Sequence, residues 1–247
     1  MSITSRLRPR LEPPARRFAK NVLSSRALQP YYRRVGRKFG RVFHNGSYRT
    51  WEGNMWWMGV GTEKLPLDAW IVQEIIYETK PTTLIETGVR RGGSALYYAH
   101  LFDILGEGRV LGIDIDLSLV HESVREHPRV TLLETDSAGE EAVRAAREAA
   151  DGQRTMVILD SDHSAQHVRR ELDALGGLVS PGCYLIVEDT NLRSHPMLWV
   201  PDPSPAVAID EWLPLHPEFE VDRAREKFLA TWHPGGYLVR RPESAAA

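Results

Sequence analysis

The sequence predicts an α/β fold built on a mostly parallel β-sheet. Short apolar runs alternate with longer segments whose apolar residues recur at helical spacing, which is the pattern of repeated strand and helix units. The chain has 247 residues, enough for one sizeable hydrophobic core. Acidic residues follow the apolar runs at the point where the ligand crevice of such a sheet lies.

The predicted elements follow one another in a regular order from residue 67. The expected strands are residues 82–87, 109–115, 130–135, 155–160 and 183–189, and the expected helices are residues 67–80, 92–105, 117–126, 140–150 and 167–178. Pro81 ends the first helix, and Gly106 and Gly108 end the second. Residues 219–241 differ, because two apolar runs flank the turn sequence HPGG, which predicts a C-terminal antiparallel hairpin at the sheet edge.

Composition and charge restrict the class of protein. The net charge of −2 argues against general nucleic-acid binding, and no run approaches the roughly 18 apolar residues of a membrane span. The single cysteine, Cys183, lies in an apolar run and is predicted to be a buried hydrophobic residue. No apolar secretory segment is recognised, so we expect a cytoplasmic protein.

The first 41 residues are strongly basic, with twelve Lys and Arg residues against one acid, Glu12. Three interpretations compete: a transit peptide, a basic arm on an anionic surface, or a partly helical lead-in that packs on the domain or on a neighbouring subunit. Aromatic residues such as Phe18, Tyr31 and Tyr32 favour the third. We therefore predict a basic extension over residues 1–50, followed by one domain over residues 51–247.

Six acidic residues fall at predicted strand ends: Glu86, Asp114, Asp136, Asp160, Glu188 and Asp189. A single acid at such a position also caps the helix that follows. The carboxyl ends of parallel strands meet at one edge of a sheet, so six acids together are better explained as the rim of a binding site.

A glycine loop, IETGVRRGGSAL, follows the first strand. Gly88 and Gly92 let the backbone approach a ligand, and Ser94 opens a helix with free N–H groups. The spacing differs from the G-x-G-x-x-G of a dinucleotide site, and no phosphate-loop lysine follows. Glu86, just before the loop, would repel a pyrophosphate but suits a ligand with an amino group and a sulfonium.

Two further strand ends complete this prediction. Asp114 is placed to accept hydrogen bonds from a ribose diol, and Asp136 or Ser137 to contact an adenine edge. A ribose, an adenine and a cationic amino-acid part make up S-adenosylmethionine. We predict this cofactor, bound by Glu86, Gly88, Gly92, Ser94, Asp114, Asp136 and Ser137.

Asp160, Glu188 and Asp189 offer hard oxygen ligands from two adjacent strand ends, which favours Mg²⁺ over zinc. A bound cation lowers the pKa of a coordinated hydroxyl. His163, three residues after Asp160, is a candidate general base, with capping of the next helix as its alternative role. We predict Asp160 and His163 as the catalytic pair and leave the role of Asp162 open.

Over roughly residues 50–241 the chain resembles the cephalosporin hydroxylase and rhamnosyl O-methyltransferase family. The resemblance rests on the motifs WEGNMWWMGVGTEKLPLDAWIVQEII, IETGVRRGGSAL, GIDID, HPRV, VILDSDHSAQHV, YLIVEDT and GGYLVRR. It implies a Rossmann-like class I methyltransferase fold, S-adenosylmethionine at the glycine loop, Mg²⁺ at Asp160, Glu188 and Asp189, and a homo-oligomer. The related macrolide-sugar O-methyltransferases place a histidine base at the position of His163.

The resulting prediction is a Mg²⁺-dependent O-methyltransferase that acts on a hydroxyl of a rhamnose-like sugar or a glycosylated natural product in secondary metabolism, such as antibiotic biosynthesis. One alternative is a hydroxylase or other oxidoreductase, although no 2-His-1-carboxylate iron pattern is found in the sequence. Another is a non-catalytic subunit that retains the cofactor pocket. Nucleic-acid methylation is disfavoured, because no basic patch surrounds the predicted rim.

Two segments are candidates for the acceptor side of the site. The aromatic-rich residues 51–59 predict packing in the core or between subunits, with a substrate lid as the less favoured alternative. Residues 191–213 form a long loop leading into a helix at the rim and are expected to select the acceptor. His195, within that loop, is a secondary candidate for the base.

Overall fold

A seven-stranded sheet organises the computed structural model, which describes residues 26–43, 54–193 and 204–242. Its strands are β3 (Thr83–Thr87), β4 (Arg109–Asp114), β5 (Val130–Glu134), β6 (Thr155–Leu159), β7 (Tyr184–Val187), β8 (Phe219–Val221) and β9 (Tyr237–Arg240). A separate two-stranded hairpin joins β1 (Trp56–Trp57) to β2 (Val60–Gly61). The order in the large sheet is β5-β4-β3-β6-β7-β9-β8.

The sheet is parallel from β5 through β7 and antiparallel at one edge. β9 lies between β7 and β8 and runs antiparallel to both, so the predicted C-terminal hairpin is confirmed. β8 comes first in the chain but forms the edge of the sheet. The connection over residues 222–236 leads from β8 to β9, which pairs with β7.

Helices cover both faces of the sheet. The α-helices of the described residues are α1 (Gln29–Arg41), α2 (Pro66–Thr79), α3 (Gly93–Leu105), α4 (Glu122–Arg125), α5 (Glu140–Ala150), α6 (Ala165–Leu175) and α7 (Pro205–Trp212). Met156 and Ile158 of β6 pack with α2 and α3, whereas Val157 and Leu159 pack with α5 and α6. Successive strand residues point to opposite faces, so burial on both faces explains the continuous apolar runs.

Helix boundaries depart from the prediction where side chains cap the backbone. The helix expected over 117–126 begins only at Glu122, because Asp116 accepts the Ser118 N–H at 2.8 Å and fixes a turn. The helix expected over 167–178 begins earlier, because Ser164 accepts the His167 N–H, and it changes to a 3₁₀ turn at Gly176. Cys183 is fully buried, as predicted.

The described part of the basic segment packs on the domain. A Cβ on Gly36 of α1 would lie 2.1 Å from the Leu229 carbonyl oxygen, so helix and loop meet at their backbones. Just beyond α1, the Phe43 ring centroid lies 6.2 Å from that of Trp232. The division of the chain at residue 50 stays a prediction. Among the helices of the described ranges, none has the length and apolar character that crossing a bilayer requires.

Candidate cofactor and metal site

A cavity of about 850 Å³ opens at the carboxyl ends of the parallel strands. The predicted site residues that line it are Gly88, Ser94, Asp114, Asp136, Ser137, Asp160, His163 and Asp189. Glu86, Gly92 and Glu188 lie behind this surface and do not line the cavity. The topology therefore gathers most of the predicted rim in one place, as expected for a parallel sheet.

The glycines of the loop are required mainly for close packing of the chain. Gly88 has φ +81°, and a Cβ there would lie 1.9 Å from the Asp160 carbonyl oxygen. Gly92 has φ +88°, and its Cβ would meet the Val124 side chain at 2.8 Å. Gly93, which does line the cavity, touches the Gly61 backbone in the same way. The loop thus joins the end of β6, the β1–β2 hairpin and the start of α3.

Glu86 is completely buried at the end of β3. Burial raises the pKa of its carboxyl to about 7, against the opposing effects of nearby Lys64 and Ser94. The Lys64 ammonium lies 3.5 Å from Glu86 Oε1. In this structure, the protein's own lysine is therefore the cation beside Glu86.

Asp114 and Asp136 face the cavity from the ends of β4 and β5. Asp114 Oδ2 accepts the backbone N–H of Arg90, in the glycine loop, at 2.7 Å. Asp136 pairs with Arg170 at 2.8 Å, and this contact holds the pKa of its carboxyl below the usual value. The hydroxyl of Ser137 donates to buried Glu171 at 2.6 Å, so it braces the wall from within.

Lys64 is the main site residue that sequence reasoning missed. Its Nζ donates to Asp160 Oδ2 and to Glu188 Oε1, each at 2.7 Å. Burial alone would lower the pKa of this lysine, but the carboxylates of Asp160 and Glu188 hold it well above the usual value. A signal was available, because several acids predicted at adjacent strand ends require a counter-charge.

His163 lies between the two carboxylates that face the cavity. Its Nδ1 is 3.1 Å from Asp189 Oδ2, and its Nε2 is 3.9 Å from Asp160 Oδ1. Ligand atoms of these three residues all lie within 4.8 Å of one another. Burial by itself lowers the pKa of His163, but the carboxylates of Asp189 and Asp160 raise it to about 9.

Glu188 and Asp189 point to opposite sides, although they are adjacent. Asp189 has φ +55°, in the left-handed region, and its N–H donates to Nδ1 of buried His233 at 3.1 Å. Glu188 Oε2 lies 3.5 Å from Nε2 of the same histidine. Asp68, also buried, accepts hydrogen bonds from the backbone N–H of Trp232 at 2.8 Å and from the Tyr237 hydroxyl at 2.9 Å. A buried network, not anticipated from the sequence, thus supports the ends of β7.

The structure also brings together a set that the sequence search did not find. His100, Asp103 and His127 form a two-histidine, one-carboxylate group on the side of α3. The Trp57 indole N–H donates to His100 Nδ1 at 3.0 Å, which leaves the ring proton on Nε2, and Arg129 holds Asp103 at 2.7 Å. None of the three lines the cavity. These hydrogen bonds tie the three side chains to the protein, and the group lies outside the cavity. Finding this two-histidine, one-carboxylate set therefore does not favour the oxidoreductase alternative.

The expected acceptor segments are only partly described. Trp57 packs edge-on against Tyr97, with ring centroids 4.7 Å apart, which agrees with the preferred packing role, whereas Trp56 is 61% exposed and is not part of the core. Residues 54–59 do not line the cavity. Residues 61–64, immediately after them, form the wall instead. Leu192 lines the cavity at the start of the second segment, but residues 194–203, with His195, lie outside the described residues.

Comparison with known proteins agrees with this architecture. A sequence model described as "Rhamnosyl O-methyltransferase/CmcI" matches residues 49–241. A protein named rhamnosyl O-methyltransferase from Mycobacterium bovis (strain BCG / Pasteur 1173P2) is 35% identical over 230 residues, covering 89% of this chain and 91% of that protein. One of the same name from Mycobacterium leprae (strain TN) is 37% identical over 191 residues, covering 75% and 82%.

Solved structures show the same fold. One titled "cmcI-D160 Mg-SAM" has a TM-score of 0.59 and 24% identity, covering 75% of this chain and 76% of that one. A second, titled "CmcI-N160 apo-structure", has a TM-score of 0.59 and 22% identity, covering 76% and 77%. The predicted α/β class I methyltransferase fold is thereby confirmed, and the chain belongs to the rhamnosyl O-methyltransferase/CmcI family.

Proposed function

We propose that this protein transfers the methyl group of S-adenosylmethionine to a hydroxyl of a sugar or glycosylated natural product, with Mg²⁺ as metal cofactor. The observation that carries the proposal is the arrangement of His163 between Asp160 and Asp189 on the wall of a large cavity. This arrangement would place a base beside a cation that activates the acceptor hydroxyl, which suits metal-dependent O-methylation.

The cavity suits two ligands side by side. Its volume of about 850 Å³ lies near the upper end of the range of small-molecule sites, which leaves room for a cofactor and an acceptor. Asp114 and Asp136 would hold the ribose and adenine at one end, beside the glycine loop. The cluster of Asp160, His163 and Asp189 would receive the acceptor at the other end.

The donor set fits Mg²⁺, which prefers carboxylate oxygens and retains waters that an acceptor hydroxyl can replace. Asp160 and Asp189 direct oxygens toward the cavity beside His163. Glu188 would join them as the third ligand after leaving Lys64, with which it is paired here. When bound, the cation lowers the pKa of the acceptor hydroxyl and orients it.

His163 supplies the base. Asp189 Oδ2 lies next to Nδ1 and would keep a proton there, so Nε2 would present its lone pair near Asp160 once a bound cation has lowered the raised pKa of the ring. Nε2 would take the proton of the acceptor hydroxyl, while bound S-adenosylmethionine would supply the methyl group by cleavage of its carbon–sulfur bond. The methyl ether, S-adenosylhomocysteine and a protonated His163 would result. The protein contributes positioning and a preorganised charge distribution.

The names of similar proteins support the class of acceptor. The mycobacterial relatives are named rhamnosyl O-methyltransferases, and one solved structure is titled as a complex with Mg and SAM. A rhamnoside is therefore the first acceptor to test. Secondary metabolism, a cytoplasmic location and a homo-oligomer remain predictions from the sequence.

Calorimetry with S-adenosylmethionine, with and without Mg²⁺, followed by methyl transfer to a panel of rhamnosides and free or nucleotide-linked deoxysugars, tests the proposal. We expect cofactor binding and Mg²⁺-dependent turnover, with His163→Gln lowering kcat by about 100-fold or more. His127→Gln is the matched control, since His127 does not line the cavity, and its turnover should match the wild type. Absence of cofactor binding would refute the assignment, whereas binding without turnover on any acceptor would favour a non-catalytic subunit.

A further inference from the structure

Lys64 occupies the centre of the acidic cluster. Its side chain is only 10% exposed, and Nζ lies 2.7 Å from one oxygen of Asp160 and 2.7 Å from one oxygen of Glu188. Glu86 Oε1, at 3.5 Å, is the third carboxylate oxygen near the ammonium. Two of the three proposed metal ligands are therefore already paired with a cation of the protein.

Such pairing is needed for the cluster to be stable. Carboxylates buried close together repel each other, and an uncompensated buried charge is strongly destabilising. Lys64 provides the compensation from a fixed position. The backbone just before it, at Gly61, packs so closely on Gly93 of the glycine loop that a Cβ on Gly93 would lie 2.4 Å from the Gly61 oxygen.

The two carboxylates that pair with Lys64, those of Asp160 and Glu188, differ in whether an oxygen remains for a metal ion. Asp160 gives Oδ2 to Lys64 and turns Oδ1 toward His163 and the other cluster ligands, so it can hold both cations at once. Glu188 has Oε1 on Lys64 and Oε2 beside His233, so both of its oxygens already lie next to a group of the protein, and it is not part of the cluster of Asp160, His163 and Asp189.

We propose that Lys64 is a built-in counter-ion of the metal site, which holds Asp160 and Glu188 together before Mg²⁺ binds and releases Glu188 to Mg²⁺ afterwards. This rests on the proposed function, because it takes Glu188 as a ligand. After the exchange, Lys64 keeps Asp160 and pairs more closely with Glu86, the next carboxylate within reach. Lys64 is thus a positioning residue that sets the metal affinity of the site, since Mg²⁺ must replace its contact with Glu188.

The test compares Lys64→Met with Lys64→Arg and the control Lys80→Met, an exposed lysine at the end of α2. Mn²⁺ binding is measured by electron paramagnetic resonance at pH 8.5, and Tm is measured in EDTA. We expect Lys64→Met to lower the Tm in EDTA and to bind Mn²⁺ at least about tenfold more tightly, because a unit charge beside the ligands is removed. Lys64→Arg, which keeps the charge, and Lys80→Met should bind Mn²⁺ with nearly wild-type affinity.

Equal or weaker Mn²⁺ binding by Lys64→Met would overturn the inference while leaving the proposed function intact. If Lys64→Met folds only when Mn²⁺ is present, it is purified in Mn²⁺. Its unfolding when EDTA is added then supports the inference more strongly than a lowered Tm does. A crystal structure of the wild type with Mn²⁺ is the second test, and a Lys64–Glu188 contact unchanged beside a bound ion would also overturn it. Failure of the wild type to bind Mn²⁺ would refute the proposed function and the exchange with it.

Discussion

Gly88→Ala should damage the proposed metal site through the backbone, without removing any functional group. A Cβ at residue 88 would lie 1.9 Å from the Asp160 carbonyl oxygen and 2.9 Å from the Ser161 Cα, both in the chain segment that carries the cluster. To reach the closest normal contact, that segment must move by more than 1 Å. The left-handed φ of +81° adds about 1–2 kcal/mol of strain for an alanine.

Gly106→Ala is the matched control. Gly106 has φ +85°, but nothing lies within 4 Å of its Cβ position, so only the conformational strain of about 1–2 kcal/mol applies. Overpacking at residue 88 adds about 1–3 kcal/mol, for a total loss of about 2–5 kcal/mol. Guanidinium denaturation measures both variants, and Mn²⁺ titration should show weaker binding only for Gly88→Ala. Equal stability and equal Mn²⁺ affinity of the two variants would refute the reasoning.

The remaining predictions concern the network around the site and the core. The pKa of His163, raised to about 9 by its carboxylate neighbours, leaves the ring protonated at neutral pH; Mg²⁺ should lower this pKa and release the base, and an NMR titration showing no Mg²⁺-dependent shift would contradict that. Asp68→Asn should destabilise the fold by about 1–3 kcal/mol, because its amide cannot accept from both Trp232 and Tyr237, whereas a neutral result in urea unfolding would show that the network is dispensable. Cys183, buried and with a thiol pKa raised by that burial, should react with a disulfide reagent only after unfolding; fast reaction of the native protein would disprove its burial.

The sequence was sufficient to predict the sheet and most of the acidic residues at the carboxyl ends of its parallel strands. β6 and β7 are continuous apolar runs because both of their faces are buried, so their ends, and the acids after them, could be located from the pattern alone. The helix over residues 140–150 was located at both ends for a similar reason, since its apolar residues recur at helical spacing between polar flanks.

The residues that these acids contact could not be predicted from the pattern in the same way. Lys64 meets Asp160 and Glu188 across 96 and 124 positions of sequence, and no local pattern signals a pairing of that range. His233 reaches the site from the segment before the last strand of the sheet, whose insertion next to β7 depends on the whole topology. The opposite directions of Glu188 and Asp189 were also not predictable, because both residues lie beyond β7 and Asp189 adopts a left-handed φ of +55°.

The insertion of β9 between β7 and β8 also bears on how the protein is made. Val187 donates its N–H to the Gly236 carbonyl oxygen, and Asn191 donates to that of Trp232, so the end of β7 is completed by residues synthesised much later. A nascent chain that has left the ribosome only as far as Asp189 carries the acids of the cluster without the strand that fixes them. Such a chain exposes an unpaired β7 edge, which is a template for pairing with other chains until the final strand is released.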